Sequence, residues 1–259
     1  MSARRVLSGL VLATAFSLVP AMAHAQMPDR QTARIVASYP HDSDAFTQGL
    51  FLHDGQLYES TGQVGASSLR RVDLETGLVE QATPVNPPYF GEGSTQIGDR
   101  IYMLTWRRET GFIFDAGTLE PTGRFNYDGE GWGLTQDGSS LILSDGTAEL
   151  RWLDPGTFEE TRRVTVRLGG RPVRRLNELE WVDGEIWANI WQSDLIVRID
   201  PETGTVTGLI DLGEVIPDAV AGSLDAVPNG IAWNAETGQI YVTGKLWPAL
   251  YEIRLPDAD

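Results

Sequence analysis

The sequence predicts an all-β fold, a five-bladed β-propeller closed by pairing of its N-terminal and C-terminal strands. Three observations lead there. Fourteen prolines and twenty-eight glycines punctuate short apolar–polar alternations, with no convincing amphipathic helix among them. A short motif recurs five times at roughly 40 to 50 residues, the period of a propeller blade. The last repeat is short by one strand, and the N-terminus offers a strand with no hairpin partner.

Residues 1–25 read as a secretory signal peptide and not as part of the fold. Arg4 and Arg5 make a basic start, Val6 to Val19 is mostly apolar, and Ala23-His24-Ala25 is a small-x-small cleavage site. The apolar run is too short to span a bilayer with tilt to spare, and no later apolar run is long enough to span one. The arginine pair fits a twin-arginine signal poorly, so ordinary export is expected, to the periplasm or beyond the cell. The mature chain then begins at Gln26 and forms a single propeller domain over 26–259.

Thr32 to Tyr39 reads as the unpartnered strand. The repeats follow, opening at Phe46-Thr47-Gln48-Gly49-Leu50, Phe90-Gly91-Glu92-Gly93, Gly131-Trp132-Gly133-Leu134, Leu176-Asn177-Glu178-Leu179 and Pro228-Asn229-Gly230-Ile231. Each opener leads into a short strand, a tight turn and a second strand. The turns, His53-Asp54-Gly55, Gly98-Asp99, Asp137-Gly138, Asp183-Gly184 and Glu236-Thr237-Gly238, suit positive φ in a hairpin. A second turn then joins a third and fourth strand: Leu74 to Gly77, Ala116 to Thr118, Asp154 to Gly156, Pro201 to Gly204. The fifth repeat stops after its third strand, Tyr251 to Leu255. Pairing it with Thr32 to Tyr39 closes the ring and hides two sheet edges.

Composition excludes several functions. There is no cysteine, so an exported chain must hold itself together by its core. The formal charge of −16 becomes −18 once the two signal-peptide arginines are removed. That surface argues against nucleic acid and anionic membrane as partners. Only His41 and His53 survive cleavage, which speaks against a His-rich metal site or a His-based triad. A monomer is expected.

Topology then gathers a site. The first two strands of a blade are antiparallel, so the start of one and the end of the other lie at the same end. Openers bring Phe46, Gln48, Phe90, Glu92, Trp132, Asn177 and Asn229 to one face of the ring. Second-strand ends bring Trp106, Ser144, Asp145, Asn189, Trp191 and Lys245. Glycines flanking Glu92 leave room for another molecule to approach, and Phe90 beside it is the kind of apolar wall that raises a carboxyl pKa. Trp152, Trp181, Trp187 and Trp233 lie inside strands and are read as blade packing. An aromatic cup with one acid and several amides resembles a small-molecule site. Taken singly, Asn177 and Gln48 also suit turn-tying amides, and Lys245 a snorkelling surface lysine.

At these motifs the chain resembles the plant- and bacterial-type glutaminyl-peptide cyclotransferases. The resemblance rests on Phe46 to Leu50, Glu59-Ser60-Thr61-Gly62, Phe90 to Gly93, Leu104-Thr105-Trp106, Gly131 to Thr135, Leu176 to Glu180, Asn229 to Trp233 and Val242 to Pro248, in family order from about Tyr39 to Leu255. It implies a five-bladed propeller that converts the N-terminal glutamine of peptides or proteins to pyroglutamate with release of ammonia. It implies no catalytic metal or other cofactor, though a structural calcium elsewhere in the propeller is compatible with it. Carried over by motif, Glu92 is the acid/base residue, and Phe46, Gln48, Phe90, Trp106, Trp132, Asn177, Trp191 and Lys245 form the substrate pocket. Ser94-Thr95 departs from the pattern, because an apolar residue is more usual after Gly93.

Two other readings compete. In a calcium-dependent, lactonase-like propeller hydrolase, Glu92, Asn177 and Asn229 would hold a metal on the channel axis, and chelation would abolish activity. A non-catalytic, ligand-binding propeller would show no turnover at all.

Overall fold

The computed structural model describes residues 27–256; the expected signal peptide lies outside them. Two strands come first, β1 (Asp29–Thr32) and β2 (Arg34–Pro40). The first blade is β3 (Thr47–His53), β4 (Gln56–Thr61), β5 (Ser68–Val72) and β6 (Val79–Pro84). The second is β7 (Gly91–Ile97), β8 (Arg100–Thr105), β9 (Thr110–Asp115) and β10 (Pro121–Asn126). The third is β11 (Leu134–Gln136), β12 (Leu141–Ser144), β13 (Glu149–Leu153) and β14 (Glu160–Thr165). A small hairpin, β15 (Arg167–Leu168) and β16 (Arg171–Pro172), precedes the fourth: β17 (Leu176–Val182), β18 (Glu185–Ile190), β19 (Leu195–Ile199) and β20 (Val206–Asp211). The fifth holds β21 (Pro228–Trp233), β22 (Ile240–Gly244) and β23 (Ala249–Arg254).

The fifth blade is completed by β2, antiparallel to β23 with Arg34 opposite Arg254, so the ring closes as expected. One part of that expectation needs correction. The N-terminal segment is two strands, because Ala33 turns inward to the core between blades four and five and breaks the alternation. The piece before it, β1, runs parallel to β20 as a fifth strand of the fourth blade, so the N-terminus ties two blades together. The β15–β16 hairpin has no counterpart in the repeat and was not anticipated.

Recurrent turns come from a recurrent sequence. Asp73, Asp115, Asp154, Asp200 and Asn234 each accept, through Oδ1, the backbone N–H of the threonine three residues on: Thr76, Thr118, Thr157, Thr203 and Thr237. A side chain that imitates the backbone of a turn fixes where one strand must end and the next begin.

Burial follows from the blades facing one another. Five apolar clusters fill the five gaps between neighbouring sheets. Phe51, Leu69, Ile101 and Phe114 join the first blade to the second, and Leu50, Leu57, Tyr241 and Leu250 join the first to the last. No single centre exists, so closing the ring is what covers both faces of every sheet. Trp152 and Trp187 are buried in these gaps, with Trp181 and Trp233 packed against them, as packing residues should be.

Candidate active site

The inner strands are not regular where they begin. Gly91 pairs with Thr105 and Ser94 with Met103, so Glu92 and Gly93 together face Leu104. Asn177 and Glu178 likewise face Asn189, and Asn229 and Gly230 face Thr243. Gln48 is the extra residue between the pairs Thr47–Thr61 and Gly49–Ser60. In the third blade Trp132 N–H donates to Ser144 O while Ser144 N–H donates to Gly133 O, again two residues against one. These are β-bulges, and a bulge re-aims the side chain it carries. One device, repeated five times, turns polar and aromatic side chains toward the axis.

The glycines beside these residues serve the ring. A Cβ on Gly93 would lie 2.5 Å from Leu134 N, and one on Gly133 would lie 2.0 Å from Asn177 O. The approach anticipated at the Gly91-Glu92-Gly93 stretch is therefore made by the neighbouring blade's backbone. Ser94 has a use too. Its hydroxyl meets that of Ser60 at 2.9 Å, and Ser60 donates to Glu92 O at 2.7 Å, which pins the bulge from below.

All nine residues expected at the site line one hollow of about 250 Å³: Phe46, Gln48, Phe90, Glu92, Trp106, Trp132, Asn177, Trp191 and Lys245. The volume falls below the ~300–1,000 Å³ of sites for drug-sized ligands and suits a single residue of a longer molecule. Aromatic rings make the walls. Phe46 and Phe90 meet edge to face at 6.0 Å, Phe90 and Trp106 at 5.7 Å, Trp132 and Trp191 at 5.6 Å. The Arg107 guanidinium lies over the Trp106 ring at 3.7 Å and that of Arg175 over Trp191 at 5.6 Å, cation–π contacts that restrict both indoles.

Glu92 is almost wholly buried, and no group among the described residues donates a hydrogen bond to its carboxyl. Burial pushes that carboxyl well above its ordinary value of 4.5; nearby Lys245 opposes the shift and Glu130 adds to it. Burial likewise lowers Lys245 from 10.5, with Glu92 opposing. The Lys245 ammonium sits 4.8 Å from the Phe46 ring centre, inside the cup and not snorkelling to the surface. Burial thus favours the protonated form of Glu92 while the Lys245 charge favours the carboxylate, so both forms have support within the site, which is what acid/base work demands.

Three contributors were missed. Leu224 and Asp225 reach the hollow from the loop after β20, whose repeat-free sequence gives no reason to place it there. Glu130 was legible, since Gly129-Glu130-Gly131 repeats the glycine-flanked acid of the second blade. Its Oε2 accepts both indole N–H groups, from Trp106 at 2.8 Å and Trp132 at 2.9 Å, while Oε1 accepts from Arg107. One carboxylate therefore sets two walls of the cup. Of the remaining residues expected on this face, Ser144 donates to Asn177 O and Asn189 accepts from Gly230 N–H. Both tie strands together, and neither lines the hollow. Asn229 donates to Gln48 Oε1 and is not among the residues lining the hollow, so of the trio Glu92, Asn177 and Asn229 only the first two line it.

Comparison with known proteins gives a consistent result. Residues 9–255 match the family model described as glutamine cyclotransferase. The chain is 45% identical over 228 residues to a glutaminyl-peptide cyclotransferase of Arabidopsis thaliana, covering 86% of this chain and 71% of that protein. It superposes on the crystal structure of Myxococcus xanthus glutaminyl cyclase with a TM-score of 0.83 and 41% identity, over 90% of this chain and 100% of the other. The WD40 propeller domain of Doa1, at TM-score 0.50 and 11% identity over 80% of this chain and 63% of that one, shares the fold alone.

Proposed function

This chain belongs to the glutamine cyclotransferase family, and from that premise we propose that Glu92 moves the proton in its reaction. The activity is that of a glutaminyl-peptide cyclotransferase, an acyl transfer within one residue. The free α-amine of an N-terminal glutamine attacks its own γ-carboxamide, a five-membered lactam forms, and ammonia leaves. Because both reacting groups sit on one flexible side chain, holding that chain curled supplies a large part of the rate. The aromatic cup does this and keeps water from competing as nucleophile.

Glu92 as carboxylate takes a proton from the amine as the new C–N bond forms. It returns the proton to the carboxamide nitrogen as the old C–N bond breaks, so that nitrogen departs as ammonia and Glu92 is restored. Asn177, Gln48 and Lys245 are the donors available to the oxygen that gains charge in between. The observation that carries this reading is a buried carboxyl, with no hydrogen-bond donor among the described residues, lining a tryptophan-walled hollow.

Ammonia release from a glutamine-initiated dipeptide tests the proposal. Glu92→Gln should lower turnover by at least ~100-fold, the scale for losing an acid/base group, with an unchanged melting temperature. Near-wild-type release by that variant would remove Glu92 from the role. We further propose that no metal takes part, so a chelator leaves turnover intact; loss of activity on chelation would favour a metal-dependent hydrolase. We also propose export from the cytoplasm, which the signal-peptide-like sequence of residues 1–25 supports. Cleavage after Ala25 would expose Gln26 as the enzyme's own first substrate, and mass spectrometry of the exported chain would show the loss of one ammonia.

A further inference from the structure

A glutamine amide offers two N–H donors at one end and an acceptor oxygen at the other, so what Gln48 can do depends on which end faces the hollow. The choice is made behind it. Asn229 Nδ2 lies 2.9 Å from the backbone oxygen of Thr47, and a carbonyl only accepts, so the amino end of Asn229 must point there. The same Nδ2 lies 3.1 Å from Gln48. A donor therefore meets Gln48, and the Gln48 atom at that contact has to be Oε1. Its Nε2 is left for the hollow that Gln48 lines and has no partner among the described residues. Asn229 is fully buried, and its own Oδ1 is buried without a partner. Both hydrogen bonds that fix the Asn229 amide run through its N–H end.

We propose that Asn229 is a positioning residue that locks the Gln48 amide with its N–H groups aimed at the γ-carboxamide oxygen of the substrate, where negative charge gathers during ring closure. This rests on the cyclotransferase reading of the site. Without the lock, the amide is free to turn its oxygen toward the hollow and to swing its N–H groups off the line to the substrate oxygen.

The test is a double-mutant cycle on ammonia release, with Asn229→Leu, Gln48→Met and the pair. Asn229→Leu should cut kcat by about tenfold to a hundredfold, less than the ~10²–10³ for removing such a donor outright, because the Gln48 amide stays and only its aim is lost, and it should change KM far less. In the Gln48→Met background the same change should cost nothing further, since no amide remains to orient. Wild-type kcat in Asn229→Leu, or losses that multiply in the pair, would overturn the proposal. If Asn229→Leu does not fold, side-chain amide hydrogen exchange in the unmutated protein decides instead. The Asn229 amide protons should exchange slowly whether or not pyroglutamyl dipeptide is bound, and those of Gln48 should slow only when it is bound. The reverse pattern would overturn the proposal. Absent ammonia release by the wild type would count against the activity itself, and the exchange pattern still reads the orientation.

Discussion

Burial raises the Glu92 carboxyl most, and two charges of opposite sign then modulate it. Glu130 helps hold its pKa up and Lys245 pulls it down. Removing the negative neighbour favours the carboxylate, so Glu130→Gln should move the Glu92 step in the kcat/KM profile to lower pH. Removing the positive neighbour disfavours it, so Lys245→Met should move that step to higher pH. Shifts in the same direction would mean that the step belongs to another group. The walls are tested separately. Trp132→Ala should raise KM for glutamine-initiated peptides while thermal unfolding stays cooperative, because Trp132 borders the hollow and is not among the residues filling the gaps between blades. A collapsed protein would return it to the core.

At the level of elements, the bulges in the inner strands convert a regular sheet into a site, and the loops beside them need anchoring. His41, just after β2, provides one anchor. Its Nδ1 meets Trp247 O at 2.7 Å and its Nε2 meets Glu59 Oε1 at 3.0 Å, joining the entry segment to β4 and to the turn that follows Lys245. Both partners accept, so the imidazolium with two N–H donors is the form that fits. Burial opposes charge on either group, but their attraction and hydrogen bonds outweigh it. His41 is raised above 6.5 and Glu59 held below 4.5. The sign follows from linkage. The His41 contribution is complete below about pH 6.5 and is lost as pH rises through its higher folded value. That of Glu59 is complete above about pH 4.5 and is lost as pH falls through its lower one. His41→Gln should therefore cost about 3 kcal/mol, as breaking a buried pair does. The melting-temperature gap from wild type should be widest between pH ~4.5 and ~6.5 and narrow on either side. A gap that keeps widening above that window would show that His41 is neutral in the fold.

Over the whole molecule, stability depends on closure, because every sheet is covered only by its two neighbours. Deleting residues up to Thr32 removes β1 alone and should leave a folded, active ring with a lowered melting temperature. Deleting residues up to Pro40 also removes β2, exposes the edge of β23 and opens the ring. That protein should aggregate or associate, as size-exclusion chromatography would show, and a soluble active monomer would mean that closure is dispensable.

The repeat, the turns and the closing strand were readable because each is local. An aspartate or asparagine that caps a turn, an alternating strand and a missing fourth strand declare themselves within a few tens of residues. Nine of the eleven lining residues were readable because a repeated motif returns to the same height in every blade. Ser60 and Ser94 bracing the Glu92 bulge, Leu224 and Asp225 reaching the hollow, and β1 crossing to the fourth blade were not, since these contacts join segments that share no pattern. Sequence by itself determined the ring and the set of side chains turned into it, for periodicity is a local property. Only the tertiary structure decided which way the Gln48 amide points, what restricts the indoles and how far burial lifts Glu92, because orientation and desolvation depend on neighbours brought close by the fold.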